Sequence, residues 1–179
     1  MDTLQSIKDR IPDYAKDLRL NLDAVLNRSS LTPVQANGAA LAAAFAAKSA
    51  TLVAALREGA PDPAQAQAAL TAAALMGMNN IWYPYVEMAA DAELKTLRPE
   101  LRMNAYATHG GVDRASFELY ALAASIVGKC EFCVRSHYQV LRDAGMTTVQ
   151  LRDVGRIAAV IQAVAQVLAL QSEAAPALA

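Results

Sequence analysis

Gly128-Lys129-Cys130-Glu131-Phe132-Cys133-Val134-Arg135-Ser136-His137 holds both cysteines and one of the two histidines of this 179-residue chain. Gly128 and Lys129 interrupt the apolar run 119–127, and apolar spacing resumes at Phe132, Cys133, His137, Val140 and Leu141, which predicts a helix beginning near Cys130. Free backbone N–H groups and the positive end of the helix dipole stabilise a thiolate at such a place. Residues three apart on a helix lie one above the other, so the two sulfurs can bond with little backbone movement. His137 follows Cys133 by four residues and shares its face, where an imidazole can take the thiol proton or orient a water. Cys133 is therefore expected to be the activated sulfur, and Cys130, nearer the helix end, the more exposed one that resolves the intermediate. A thiolate attacks a peroxide to give a sulfenic acid, and a neighbouring thiol condenses with it to a disulfide.

Three other readings of the pair stay open at this level. Two cysteines can be small core hydrophobes. With His137 they supply three ligands of a zinc site, although a fourth ligand and the usual spacings are missing. A thioredoxin-like domain uses the same C-x-x-C pair but needs strands alternating with helices, and none is legible here.

Outward from the motif the chain reads as all-α, a single domain over residues 1–179. Residues 2–10 and 13–27 form amphipathic helices broken at Pro12. Thr32 and Pro33 open a long alanine-rich helix to about Lys48, followed by another to about Glu58. Asp62 caps a helix ending near Gly77, with Asn79-Asn80 as a bend, and 91–103 is a short helix or connector. Residues 108–113 form a loop that includes His109, and Asp113 caps the helix carrying Glu118. Gly145 ends the motif helix; Thr147 or Thr148 caps a last helix to about Gln171, with a fraying alanine-rich tail. At helical spacing Ile81-Trp82-Tyr83, Tyr85 and Met88 read first as core, and second as a hydroperoxide pocket or a subunit interface. Laying 32–56 on 113–137, and 63–81 on 148–166, suggests an internal helical repeat. Its first copy places Asn37, Ser49, Leu52 and Leu56 where the second has Glu118, Cys130, Cys133 and His137, so only the second half carries the chemistry.

Sixteen Lys and Arg against seventeen Asp and Glu give a formal net charge of -1, which points to no nucleic-acid partner. No uninterrupted membrane span or signal-peptide core stands out, so the expected location is cytoplasmic. In a reducing compartment two cysteines are working thiols rather than a structural staple.

The segment Phe117-Glu118-Leu119-Tyr120 followed by Gly128 to His137 resembles the alkylhydroperoxidase AhpD family of the carboxymuconolactone decarboxylase-like superfamily. The family pattern of Glu, eleven residues, Cys-x-x-Cys, three residues and His is met by Glu118, Cys130, Cys133 and His137. Similar stretches occur at 11–18, 76–80 and 97–104. The resemblance implies an all-helical homotrimer that reduces hydrogen peroxide and organic hydroperoxides and binds no metal or organic cofactor. It implies Cys133 as the attacking thiolate and Cys130 as the partner that closes the redox-active disulfide and receives electrons. By the same likeness Glu118 is the base, through a water, and His137 belongs to the proton relay. The implied reductant is dihydrolipoamide on a lipoyl-bearing acyltransferase, and the implied client is the peroxiredoxin AhpC. From residues alone Glu118 would sit on a solvated helix face; the family spacing reverses that, and burial would then raise its pKa toward that of a general base. Phe132 stands where familiar members carry a relay histidine, leaving a water or Glu131 to substitute. A disulfide relay or redox sensor that does not turn over peroxide is the alternative function.

Overall fold

The computed structural model describes residues 3–174, and among them every regular element is helical. The α-helices are α1 (Thr3–Asp9), α2 (Lys16–Asn27), α3 (Pro33–Ala46), α4 (Ala50–Glu58), α5 (Pro63–Ala89), α6 (Asn104–Ala107), α7 (Arg114–Gly128), α8 (Glu131–Asp143) and α9 (Thr148–Ala174). Single 3-10 turns occupy Asp13–Ala15, Leu94–Thr96 and His109–Gly111, the last within the expected loop. The expected start at residue 2 and the tail 175–179 lie outside the described residues.

Local chemistry accounts for most helix starts. Thr32 forms a reciprocal capping box with Gln35, and Pro33 occupies the first turn, where its missing N–H costs nothing. Asp62 accepts from the Ala64 and Gln65 amides ahead of α5, and Asp113 accepts from Ser116 ahead of α7. Thr147, rather than Thr148, caps α9 through a box with Gln150.

α3 and α7 form the centre. Residues 39–44 of α3 are wholly buried, as are nearly all of residues 116–125 of α7, and α3 packs against α5, α7 and α9. Alanine lets these backbones approach closely, and Gly38 takes this to its limit: a Cβ there would stand 2.2 Å from the Tyr120 ring. The Tyr120 hydroxyl donates to Gln65 on α5, tying three helices together. The helix Thr148–Gln171 is long and apolar enough to cross a membrane by length and composition alone. It instead turns Leu151, Val154, Ile157, Ile161, Val164 and Leu168 into the core against α2, α3 and α7.

Two expectations are corrected. α5 does not stop near Gly77 or bend at Asn79-Asn80; it continues through both and through Pro84 to Ala89. Its second half is held by α7 and α8, and the Asn80 amide donates to the Ala124 carbonyl at 3.2 Å, so tertiary contact overrides weak local helix breakers. The aromatic stretch is not core either. Ile81, Tyr85 and Met88 are exposed, and Trp82 and Tyr83 are half-buried.

The internal repeat has a structural counterpart in α3-α4-α5 and α7-α8-α9. α5 and α9 are each 27 residues long. Lys48 and Lys129 both take the left-handed conformation, at φ 58° and 56°, immediately before the N-caps Ser49 and Cys130. The side chains of those caps accept the Leu52 and Cys133 amides. In the first half the Asn37 amide donates to the Leu56 carbonyl, where the second half pairs Glu118 with His137.

Candidate active site

α8 turns Cys133, His137 and Leu141 inward, one residue per turn, so the sequence spacing becomes a buried stripe. Cys130 is its N-cap. A sulfur there does the work that a hydroxyl or carboxylate oxygen does elsewhere in the chain: Cys130 Sγ accepts the Cys133 backbone N–H at 3.2 Å. Cys130 and Cys133 are joined as a disulfide with their Cα atoms 5.3 Å apart.

Exposure of the two sulfurs differs from the sequence expectation. Cys130 is fully buried, its Sγ lying 4.0 Å from the Asn79 carbonyl oxygen, and Cys133 retains the small access to solvent. The left-handed Lys129 turns the chain back so that the N-cap is pressed under α5 instead of projecting from the helix end. A cavity of about 280 Å³ opens onto Cys133, lined by Asn79, Tyr83, Met103, Tyr106, Phe132, Ser136 and His137.

Glu118 is completely buried in the middle of α7, in keeping with the family spacing and not on the solvated face that the neighbouring residues alone suggest. A buried carboxylate needs partners. His137 Nδ1 lies 2.6 Å from Oε2, so Nδ1 carries the hydrogen that this bond uses; the Tyr106 hydroxyl donates to Oε1; and Arg114 Nε stands 3.8 Å from Oε1. Burial by itself would raise the Glu118 carboxyl, but the hydrogen bonds from His137 and Tyr106, with the electrostatic pull of His137 and Arg114, outweigh it and hold the pKa below the ordinary value. The expected upward shift is thus reversed. Glu118 is a fixed anion at neutral pH that holds the ring and leaves its other edge to exchange protons.

That other edge, Nε2, is 3.2 Å from Met76 Sδ. A thioether has no proton to give, so Met76 does not serve the ring as a proton donor. Phe132 stacks on Tyr83 with ring centroids 4.2 Å apart and forms an apolar wall of that cavity. Glu131 does not take its place in a relay: it points outward and pairs with Arg135 at 2.6 Å. His109 remains outside the cavity lining and packs against Tyr106 and Phe117. Among the described residues no group of three or more His, Cys, Asp or Glu could hold a metal ion.

The structure therefore brings Glu118, Cys130, Cys133 and His137 together and adds Tyr106, which the sequence does not single out, and Met76, which opens the family-like stretch 76–80 but carries no expected role there. Tyr106 and Met76 come from separate elements, and no periodicity links either to the motif. Tyr106 lies just beyond the family-like stretch 97–104, the one local hint of its importance.

The chain is similar to known proteins over most of its length. The model of the carboxymuconolactone decarboxylase family matches residues 92–175. A protein of Rhodospirillum centenum named alkyl hydroperoxide reductase AhpD is 46% identical over 169 residues, covering 93% of this chain and 90% of its own. Proteins of the same name from a Bradyrhizobium species (42% identical, 91% of each chain) and from Coxiella burnetii (40% identical, 95% of this chain and 99% of its own) are also similar.

Proposed function

The chain belongs to the AhpD family of alkyl hydroperoxide reductases, oxidoreductases acting on peroxides, within the carboxymuconolactone decarboxylase superfamily, and from that premise we propose how its residues carry the reaction. The reduced Cys133 loses its proton to the His137–Glu118 pair and attacks the peroxide in the cavity. An S–O bond forms as the O–O bond breaks; the departing alkoxide or hydroxide takes up a proton and leaves as alcohol or water. The Cys130 thiol then attacks the sulfenic sulfur, and water departs as the S–S bond forms. Two electrons and two protons have passed from the dithiol to the peroxide. The observation that carries this reading is the cavity: it opens on Cys133, beside a histidine held by a buried anion.

A dithiol restores the enzyme, and a dihydrolipoyl group is the donor we propose, with an AhpC-type peroxiredoxin as a further client. The resemblance puts the entry of electrons at Cys130; because Cys130 is fully buried and Cys133 lines the cavity, we propose instead that the donor attacks Cys133. Cys130 then leaves as the thiolate, supported by the Cys133 N–H and the N-terminus of α8. Such a cycle suits a reducing cytoplasm. A homotrimer is proposed on the family likeness, and the exposed row Ile81, Tyr85 and Met88 on α5 supports contact between copies.

The test is steady-state consumption of hydrogen peroxide and of an alkyl hydroperoxide with dihydrolipoamide as donor. Turnover is expected in the wild type and lost in Cys133→Ser; Cys130→Ser accumulates a sulfenic acid that a dimedone probe labels. Reduction of the disulfide without consumption of peroxide would instead establish a dithiol relay.

A further inference from the structure

We propose that Tyr106 is a positioning residue of the peroxide reaction: its phenol anchors one oxygen of Glu118 so that the other holds His137 at the wall of the Cys133 cavity. The two carboxylate oxygens divide the work. Oε1 accepts from the Tyr106 hydroxyl, and Oε2 faces His137 Nδ1 at 2.6 Å. Without the first bond the carboxylate is free to rotate about its last torsion, and the ring loses its fixed orientation.

The phenol is itself held in place. Its ring meets Phe117 edge-on at a centroid distance of 5.7 Å and lies 6.5 Å from the rings of His109 and His137. It lines the same cavity as Cys133, Phe132 and Tyr83, so it forms part of the peroxide's surroundings as well as the carboxylate's support. α6, the four-residue helix that carries it, packs against α5 and the turn at His109. Tyr106 therefore meets the motif through Glu118, through the His137 ring and through the cavity.

The charged and titratable groups facing this pair are Arg114 on α7, His137 on α8, Tyr83 on α5 and the His109 ring. Burial, the hydrogen bond to Glu118 and the negative charge of that carboxylate push the phenol well above its ordinary range, so it remains a donor throughout the working pH range. Its bond is one of the interactions that hold Glu118 ionised. Removing it raises the pH at which the carboxylate protonates and ceases to hold the ring as an anion. A hydrogen bond to a charged group corresponds to about one pH unit, so the acid limb of reactivity should move up by about that much.

The experiment compares wild type with Tyr106→Phe, which retains the ring and its packing. Two pH profiles are taken: alkylation of the reduced protein by iodoacetamide, and peroxide turnover with dihydrolipoamide. Expected are a wild-type circular dichroism spectrum, an acid limb displaced upward by about one unit in both profiles, and a several-fold fall in kcat on that limb, below about pH 5, with little change in KM. Superimposable profiles would overturn the inference. Should the Phe variant fail to fold, Tyr106→Leu, equally without a donor, is read in the same way. The turnover arm rests on the peroxidase reading and the alkylation arm does not. A wild type inert toward peroxide thus removes that reading while the alkylation profile still decides the role of Tyr106.

Discussion

Gly128→Ala should destabilise this protein, although replacing a helical glycine by alanine ordinarily gains about 1 kcal/mol. Gly128 ends α7 two residues before Cys130, and a Cβ there would stand 2.1 Å from Asn80 Nδ2, 2.5 Å from Cγ and 2.9 Å from Cβ. The last contact is close to the backbone of α5, so rotating the amide away does not relieve it. Asn80 must move, and its bond to the Ala124 carbonyl, about 1 kcal/mol, goes with it. Overpacking of this kind costs about 1–3 kcal/mol, and the propensity gain offsets roughly the lost bond. The net expectation is a destabilisation of about 1–3 kcal/mol, or a fall in Tm of roughly 2–12 °C for a chain of this size. The same shift carries Asn79 and its carbonyl away from Cys130 Sγ, so Cys130 should become more accessible to alkylation in the reduced protein. The assay is thermal unfolding of four proteins: wild type, Gly128→Ala, Asn80→Ala and the double variant. Removing the Asn80 amide makes room for the methyl, so the double variant should recover part of the loss, with a coupling energy above about 0.5 kcal/mol. A Tm for Gly128→Ala at or above the wild type, or strict additivity in the cycle, would refute the reasoning.

Glu118→Gln replaces the anion by an amide and should lower peroxide turnover while raising the apparent pKa of Cys133 read from alkylation, because the ring it supports becomes a weaker proton acceptor; an unchanged alkylation titration would remove Glu118 from the mechanism. A second prediction concerns Asp153, buried on α9, which accepts from the Ser30 amide and hydroxyl at 2.8 Å each and from Arg152 and Arg156 at 3.0 Å. Burial opposes its ionisation, but the Ser30 and arginine hydrogen bonds outweigh it and hold the carboxyl well below the usual range. A depressed carboxyl stabilises the fold fully above its unfolded value and loses that contribution as pH falls toward the folded one. Asp153→Asn should therefore cost about 1–3 kcal/mol at pH 7 in denaturant titrations, with the gap to wild type narrowing below about pH 4; a gap independent of pH would count against the charge.

Features that depend on a few neighbouring residues were legible in the chain alone. Caps at Thr32, Asp62 and Asp113, the break before Cys130 and the inward stripe of Cys133 and His137 are fixed by hydrogen bonds and spacings within one or two turns. The repeat was visible because helix falls on helix and turn on turn when 32–56 is laid on 113–137; left-handed Lys48 and Lys129, each before a side-chain cap, are its structural counterpart.

What only the tertiary structure decided depends on groups distant in sequence. α5 runs past Asn79-Asn80 because α7 and α8 hold its second half. Cys130 is shielded by α5, so the sulfur that the sequence would expose is the one that is covered. The sign of the Glu118 shift turns on a contest between burial, which the sequence can suggest, and donors from His137 and Tyr106 on two other helices, which it cannot. Hydrophobic spacing records which face of a helix is buried; it holds no record of which polar groups meet there, because that meeting is set by how separate helices pack.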